Sequence, residues 1–442
     1  MPRRKAHAPL NVFINNRLCG RLEKDPGGAI IFQYDQTWLD WPPAFPISLS
    51  LPLRPAPWRG EAVVAVFENL LPDNPPIRRQ VAERTGADGV DAYSLLTQIG
   101  RDCVGAMQFL PDGQTVNALQ PIQGVELSDD EIETMLANLA RAPLGIDFEG
   151  EFRISIAGAQ EKTALLRHKG RWMRPIGTTP TTHILKPQIG QIPTASGVID
   201  LSDSVANEHY CLKLMETFGL PVAKTEIACF GTRKVLVVER FDRLRRADDQ
   251  LLRLPQEDFC QALSIPSGRK YQNQGGPGAV DLLIKLQESD DPQADQAKVL
   301  KSQILFWLIG ATDGHAKNFS LFLRPEGRFQ LTPFYDVLTA QPAFDAKHIP
   351  HRSYKLAMAV GISPHYGILD IHGRHFVETA KAAGLGPPLI RRVLDEVRRD
   401  AVGAAEAARA KMPADFPEHV HEAVAKAIIA RLQRLDTADE AL

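Results

Sequence analysis

The 442-residue chain has little cysteine, no long apolar run and almost no net charge. Its five cysteines, Cys19, Cys103, Cys211, Cys229 and Cys260, are odd in number, widely spaced and form no Cys-x-x-Cys pair. Such usage argues against a disulfide scaffold and a structural zinc site, and predicts a reducing, cytoplasmic setting. No stretch of about 18 apolar residues occurs, so no membrane span is predicted. The start, MPRRKAHAPLNVF, is basic but lacks the apolar core of a secretion signal. A formal charge of −2 gives no global basic field, so action at DNA would need a partner. Several motifs are missing too. Without Gly-x-Ser-x-Gly, Gly-x-Gly-x-x-Gly, His-Glu-x-x-His or a Walker A loop, the common hydrolase, dinucleotide, zinc-protease and P-loop readings fail.

What is present is an ordinary globular composition, 44% hydrophobic and 24% charged, long enough for two or three domains. The first hundred or so residues read as strand-rich. Asn11 to Ile14, Leu18 to Leu22 and Ala29 to Tyr34 are β-like, with Asn15-Asn16 as a hairpin signal. Trp41 to Pro57 is proline-dense and predicts irregular structure. Leu110 to Gly124 is polar and turn-rich, and residues 128–140 carry a serine cap and an acidic first turn. Strand candidates follow at Glu151 to Ile156, Thr163 to Arg167, Thr182 to Lys186 and Val235 to Glu239, around a helix from Asp203 to Phe218. After Pro255 the pattern is mostly helical, including 401–412 and 417–435. The expected division is a strand-rich N-terminal subdomain over 1–112, a mixed lobe over 113–253 and a helical lobe over 254–442. The expected fold class is α+β.

The chemistry centres on Asp313-Gly-His-Ala-Lys-Asn318. An Asp and an Asn five residues apart match the catalytic loop of protein kinases, where the Asp takes the substrate hydroxyl proton and the Asn holds Mg²⁺. The apolar run Ile304 to Ile309 leads into it as a rigid buried helix. A hairpin follows, Phe319 to Leu323 and Phe329 to Pro333 around Arg324-Pro-Glu-Gly327. Folding near position 326 brings Asp336 close to Asn318, since paired strands lie about 5 Å apart. The plainer reading makes Asp313 and Asn318 turn residues and Asp336 a helix cap.

Upstream, Ser155 to Lys162 sets small residues between two strands, where backbone N–H groups can approach phosphate oxygens. A plain hairpin turn fits that segment equally well. Lys186 ends a strand, as the phosphate-gripping lysine of kinases does. Glu208 lies on the apolar stripe of the helix that follows Asp203. A carboxylate on such a face needs a partner, and Lys186 can supply it. Glu239 to Arg243 links the mixed and helical regions, the position where kinases hold adenine. Scattered histidines such as His183, His209 and His351 read as structural.

Several segments together resemble the HipA serine/threonine kinase toxins. They are Phe67-Glu-Asn-Leu-Leu-Pro-Asp73, Ile99-Gly-Arg-Asp102, Ser155 to Leu166, Val238 to Arg243, Leu254 to Asp258, Gly275-Gly-Pro277, Ile309 to Asn318 and Leu331 to Asp336. The resemblance implies a protein-kinase-like two-lobed fold with an extra strand-rich N-terminal subdomain and an all-helical C-terminal lobe. It implies Asp313 as the catalytic residue, with Asn318 and Asp336 on Mg²⁺. It places ATP against Ala157, Gly158, Ala159, Gln160, Glu161 and Lys162, against Lys186, against Glu239, Arg240 and Phe241, and against His315, Ala316, Lys317, Asn318 and Tyr335. Ser155 becomes a self-phosphorylation site. The implied partners are a HipB-like helix-turn-helix antitoxin, operator DNA through that antitoxin, and glutamyl-tRNA synthetase as the substrate whose modification arrests growth. In the family's DNA-touching stretch near Lys381, this chain has Gly384 where an arginine is usual, which weighs against direct DNA contact. Two other readings stay open: a catalytically silent module that caps an antitoxin, and a small-molecule kinase.

Overall fold

The computed structural model describes residues 7–114, 116, 122–145, 154–158, 160–194 and 197–442. The chain gathers into two compact units, neither continuous in sequence. The first takes residues up to 187, then 228–268 and 321–329, and the second takes 188–227, 269–320 and 330–442. Neither 112 nor 253 separates these two interleaved units. The physical reason is helix Ser204–Thr217, which buries every residue from Ser204 to Met215 except Lys213. It joins the C-terminal helices through Tyr210 on His421 and Lys411 on Glu216, at 3.0 and 2.9 Å.

Two antiparallel sheets organise the first unit. One has the strand order Trp58–Arg59, Ile30–Tyr34, Arg17–Lys24, Leu10–Ile14, Met107–Pro111. Its first hairpin turns at Asn15, whose φ of 54° lies in the left-handed region that asparagine tolerates. Leu10–Ile14 is buried at every position because strands flank it on both sides. Three helices, Glu61–Glu68, Pro75–Thr85 and Ala92–Ile99, were not expected from the sequence. They are short, and the prolines around two of them masked the pattern. Phe67 brings the first of them onto the sheet, its ring 5.7 Å from those of Phe32 and Phe109.

The other sheet runs Arg233–Glu239, His183–Pro187, Thr163–His168, Arg171–Pro175, Gly124–Glu126, with Thr225–Phe230 outside the first of these. Lys186 lies opposite Leu236 in it. Asp129–Ala137 is a helix with the capping box that Ser128 and Glu131 foreshadow. Of the candidate strand from Glu151 to Ile156, residues 151–153 lie outside the described residues, and Ile154 makes a bridge to Asp102.

The second unit is mostly helical, with two short hairpins added, 190–194 with 197–201 and 355–360 with 365–367. Its core helix is Pro292–Ile309, capped by Asp291 on the Ala294 N–H and buried without a break from Val299 to Ile309. Pro387–Arg409 is amphipathic, turning Ile390, Val393, Leu394, Val397, Ala401, Ala404, Ala405 and Ala408 inward at helical spacing. Polar ties then fix the core helix. Lys301 donates to the Phe218 carbonyl and to Glu396, at 2.7 and 2.8 Å. Trp307 donates to the Ile368 carbonyl at 3.0 Å, and buried Arg431 to the Leu308 carbonyl at 2.7 Å. Arg431 is also held by the Gln341 side-chain oxygen at 2.6 Å and the Tyr354 hydroxyl at 3.0 Å, so its buried guanidinium is paired on several sides.

Candidate active site

The candidate residues fall into two groups, one in each unit. In the second unit, the core helix stops at Gly310, whose φ of 72° favours glycine. A side chain there would collide with the Tyr354 hydroxyl. Gly314 is also obligatory, because a Cβ would lie 2.6 Å from the Phe306 ring. From Asp313 to Asn318 the chain turns tightly. The His315 N–H donates to the Asp313 carbonyl at 2.8 Å, and the Asn318 N–H to the His315 carbonyl at 2.9 Å. The Asn318 side-chain amide nitrogen donates to the Asp313 carbonyl at 2.8 Å, which closes the turn. The Asp313 carboxylate is exposed, while His315, Ala316, Lys317 and Asn318 are buried.

The returning strand is fastened to this turn. The Tyr335 hydroxyl donates to the Lys317 carbonyl at 2.8 Å and lies 2.5 Å from the Ser320 hydroxyl. The Thr332 N–H donates to the Ser320 carbonyl. Phe334 then bridges Val222, its N–H donating to the Pro221 carbonyl at 2.8 Å, and Asp336 follows two residues on. Asp336 sits at φ 60°, a backbone state that costs about 1–3 kcal/mol outside glycine and is typical of functional positions.

Among the described residues, no group of three or more His, Cys, Asp or Glu side chains could hold a metal by itself. Mg²⁺ needs only one or two protein oxygens and completes its shell with water and phosphate. Asn318 and Asp336 supply hard oxygen donors of that kind.

The first unit holds the loop. Ser155 donates its N–H to the Asp102 carbonyl at 2.9 Å and its hydroxyl to the Leu70 carbonyl at 2.7 Å, and it is fully buried. Gly158 pairs with Pro72 and has a φ of 109°, beyond the range of other residues. Lys162 curls back to the Ala157 carbonyl at 2.8 Å, and Gln160 reaches the Pro187 carbonyl at 3.3 Å. Glu161 is exposed, and Ala159 lies outside the described residues.

Lys186 is buried in its strand, and Glu208 is 2% exposed in the second unit's helix. In the linker, Glu239 pairs with His183, the Arg240 N–H donates to the Thr182 carbonyl, and Phe241 meets Phe322 edge-on at 5.7 Å.

The Arg240 side chain turns inward, to a buried charge cluster that sequence reasoning left without a role. Asp102 accepts from Arg243 at 2.8 Å, Arg253 at 3.1 Å, Arg240 at 3.3 Å and the Thr181 hydroxyl at 2.7 Å. Asp242 takes Arg240 at 2.7 Å and the Gly105 N–H at 2.7 Å. Burial alone would raise the pKa of Asp102. Arg243, Arg253 and Arg240 overcome it and hold the carboxyl well below the usual range. Arg243, deeply buried and facing Arg240, is pushed down to about 10. The arrangement ties the loop, through the Asp102 backbone, to the linker, through the Asp102 side chain. Tyr271 was missed as well, although it stands just before Gly275-Gly-Pro277. Its hydroxyl donates to Asp313 Oδ1 at 2.5 Å.

Known proteins give this geometry its context. The family model described as the HipA N-terminal domain matches residues 10–110, and the one described as the HipA-like C-terminal domain matches 154–405. A candidate kinase of Sinorhizobium fredii, Y4mE, is 35% identical over 387 residues, 87% of each chain. The serine/threonine-protein kinase toxin HipA of Shewanella oneidensis is 28% identical over 366 residues, 79% of this chain and 78% of its own. Shewanella oneidensis HipA, solved with HipB and operator DNA, superposes with a TM-score of 0.79 at 24% identity. The match covers 98% of this chain and 99% of that one, which establishes the shared α+β, protein-kinase-like fold. With both family models matched and a relative at this identity along most of its length, the chain belongs to the HipA family.

Proposed function

We propose that this protein is a cytoplasmic serine/threonine-protein kinase toxin that moves the γ-phosphate of ATP to a serine of a translation protein, glutamyl-tRNA synthetase. The observation that carries the reading is the closed turn from Asp313 to Asn318, to which Tyr335 fastens the strand bearing Asp336. Residues 157–162, Lys186 and the 239–241 linker hold the nucleotide. Asp313 accepts the proton of the serine hydroxyl as the serine oxygen attacks the γ-phosphorus and ADP leaves. Mg²⁺ on Asn318 and Asp336 would neutralise charge on the β- and γ-phosphates.

A HipB-like helix-turn-helix antitoxin restrains the kinase and carries it to operator DNA. This rests on family membership and on the HipB and operator DNA present with the Shewanella protein. Self-phosphorylation at Ser155 is part of the proposal. In the described state its hydroxyl is buried on Leu70, so modification requires residues 154–158 to leave the 70–73 segment.

The test is transfer of label from γ-labelled ATP to purified glutamyl-tRNA synthetase and to proteins of a cytosolic extract. Asp313→Ala should bind ATP and transfer nothing. Transfer by Asp313→Ala at the wild-type rate would sink the assignment. Absence of any transfer by the wild type would favour the silent capping module instead.

A further inference from the structure

The catalytic aspartate is not alone. Its Oδ1 accepts a 2.5 Å hydrogen bond from the Tyr271 hydroxyl, and no other side chain among the described residues hydrogen-bonds its carboxylate. Tyr271 is itself held firmly. Its carbonyl receives the N–H groups of Gln274 and Gly276, both at 3.0 Å. A Cβ on Gly276 would lie 2.8 Å from that carbonyl, so the turn needs glycine there. The next residue, Gln272, accepts the Ala359 N–H through its side-chain oxygen at 2.6 Å. The Tyr271 ring meets the buried His315 ring edge-on, with centroids 4.9 Å apart and planes at 84°. Tyr271 therefore contacts two members of the same catalytic turn.

An exposed carboxylate rotates freely about its last bond, where the torsional preference is broad. Proton removal during transfer depends on one oxygen facing the acceptor hydroxyl in a near-attack geometry. A short charge-assisted O–H···O⁻ bond to one oxygen fixes the plane of the group and presents the other. We infer that Tyr271 is a positioning residue for Asp313: its hydroxyl locks Oδ1 so that Oδ2 faces the acceptor serine. The inference rests on the kinase reading above. The competing arrangement is a gate, in which the phenol occupies the acceptor's place and must be displaced. The contact with His315 favours positioning, because it ties the ring to the turn that carries Asp313.

Tyr271→Phe separates these outcomes, since it keeps the ring against His315 and removes only the hydroxyl. Using γ-labelled ATP and whichever acceptor the wild type labels, kcat should fall about 10- to 100-fold, the worth of one hydrogen bond to a charged group. KM for ATP should stay within about twofold, since ground-state nucleotide binding is untouched. In an Asp313→Asn background, followed in single turnovers, the same substitution should add no further loss, because the residue acts through Asp313. Unchanged kcat in Tyr271→Phe would overturn the inference. So would a faster rate, the mark of a gate, or an equal extra loss in the Asp313→Asn background. If the wild type labels nothing, the kinase reading falls first and this inference with it.

Discussion

Replacing Asp102 with asparagine should destabilise the first unit more than any single change at its surface. The substitution keeps the shape of the side chain and removes one charge from a cluster of three guanidinium groups and two carboxylates. Arg240 and Arg243 would then keep Asp242 as their buried counter-charge, while Arg253 would lose its carboxylate partner. Uncovering a buried charge in this way costs about 3–5 kcal/mol. The unit contains roughly 240 residues, for which each kcal/mol lowers Tm by about 2 °C, so the drop should be roughly 6–10 °C.

The pH dependence has a definite sign. The folded-state pKa of Asp102 lies below its unfolded value near 3.9, so the unfolded chain binds the proton more readily. The stabilisation is present above about pH 4 and is lost as pH falls toward the folded pKa. Below about pH 4, wild type should therefore lose stability faster than Asp102→Asn. Differential scanning calorimetry across pH 3 to 7, a window of about one unit below and three above that value, reads both effects. A Tm drop under about 2 °C at neutral pH, or parallel acid limbs, would refute the reasoning.

Asp336→Ala should abolish transfer and also weaken Mg²⁺-dependent ATP binding, which isothermal titration with and without Mg²⁺ distinguishes. After incubation with Mg²⁺–ATP, phosphosite mapping should find phosphate on Ser155. The modified protein should lose ATP binding, because about −1.5 to −2 charges would enter the loop proposed to cradle the nucleotide's own phosphates. Unimpaired ATP use by stoichiometrically modified protein would remove the switch. The chain alone should bind DNA weakly, given its net charge of −2 and Gly384 near Lys381. Sequence-specific nanomolar binding in a gel shift without a partner would contradict this.

What the sequence disclosed was mostly local. Asp313 and Asn318 lie within one turn, and the Asp336 hairpin announces itself through Arg324-Pro-Glu-Gly327, where Glu326 and Gly327 adopt φ of 66° and 72°. Capping residues foretold the start of helix Asp129–Ala137, and periodicity found helix Glu418–Leu435 but only the C-terminal end of Pro387–Arg409. Long-range relations left no such trace. Asp102 meets its arginines across 138, 141 and 151 residues, and no spacing rule connects them. Tyr271 reaches Asp313 across 42 residues. The resemblance marked Ser155 for self-phosphorylation, whereas its hydroxyl is committed to the Leu70 carbonyl, 85 residues earlier. The helices at 61–68 and 75–85 were obscured because proline near a helix start resembles proline in a loop.

The interleaving of the two units bears on how the protein emerges from the ribosome. Domains usually fold in order as they are synthesised. Here the first unit waits for residues 321–329, whose strands complete a sheet with Gln256–Asp258. Those residues lie between Asp313 and Asp336. A nascent chain halted before them leaves Gln256–Asp258 with an open edge and has not yet made Asp336. Synthesis thus withholds the last piece of the first unit and the last acidic residue of the site until nearly the same moment. An unfinished copy would therefore lack both at once.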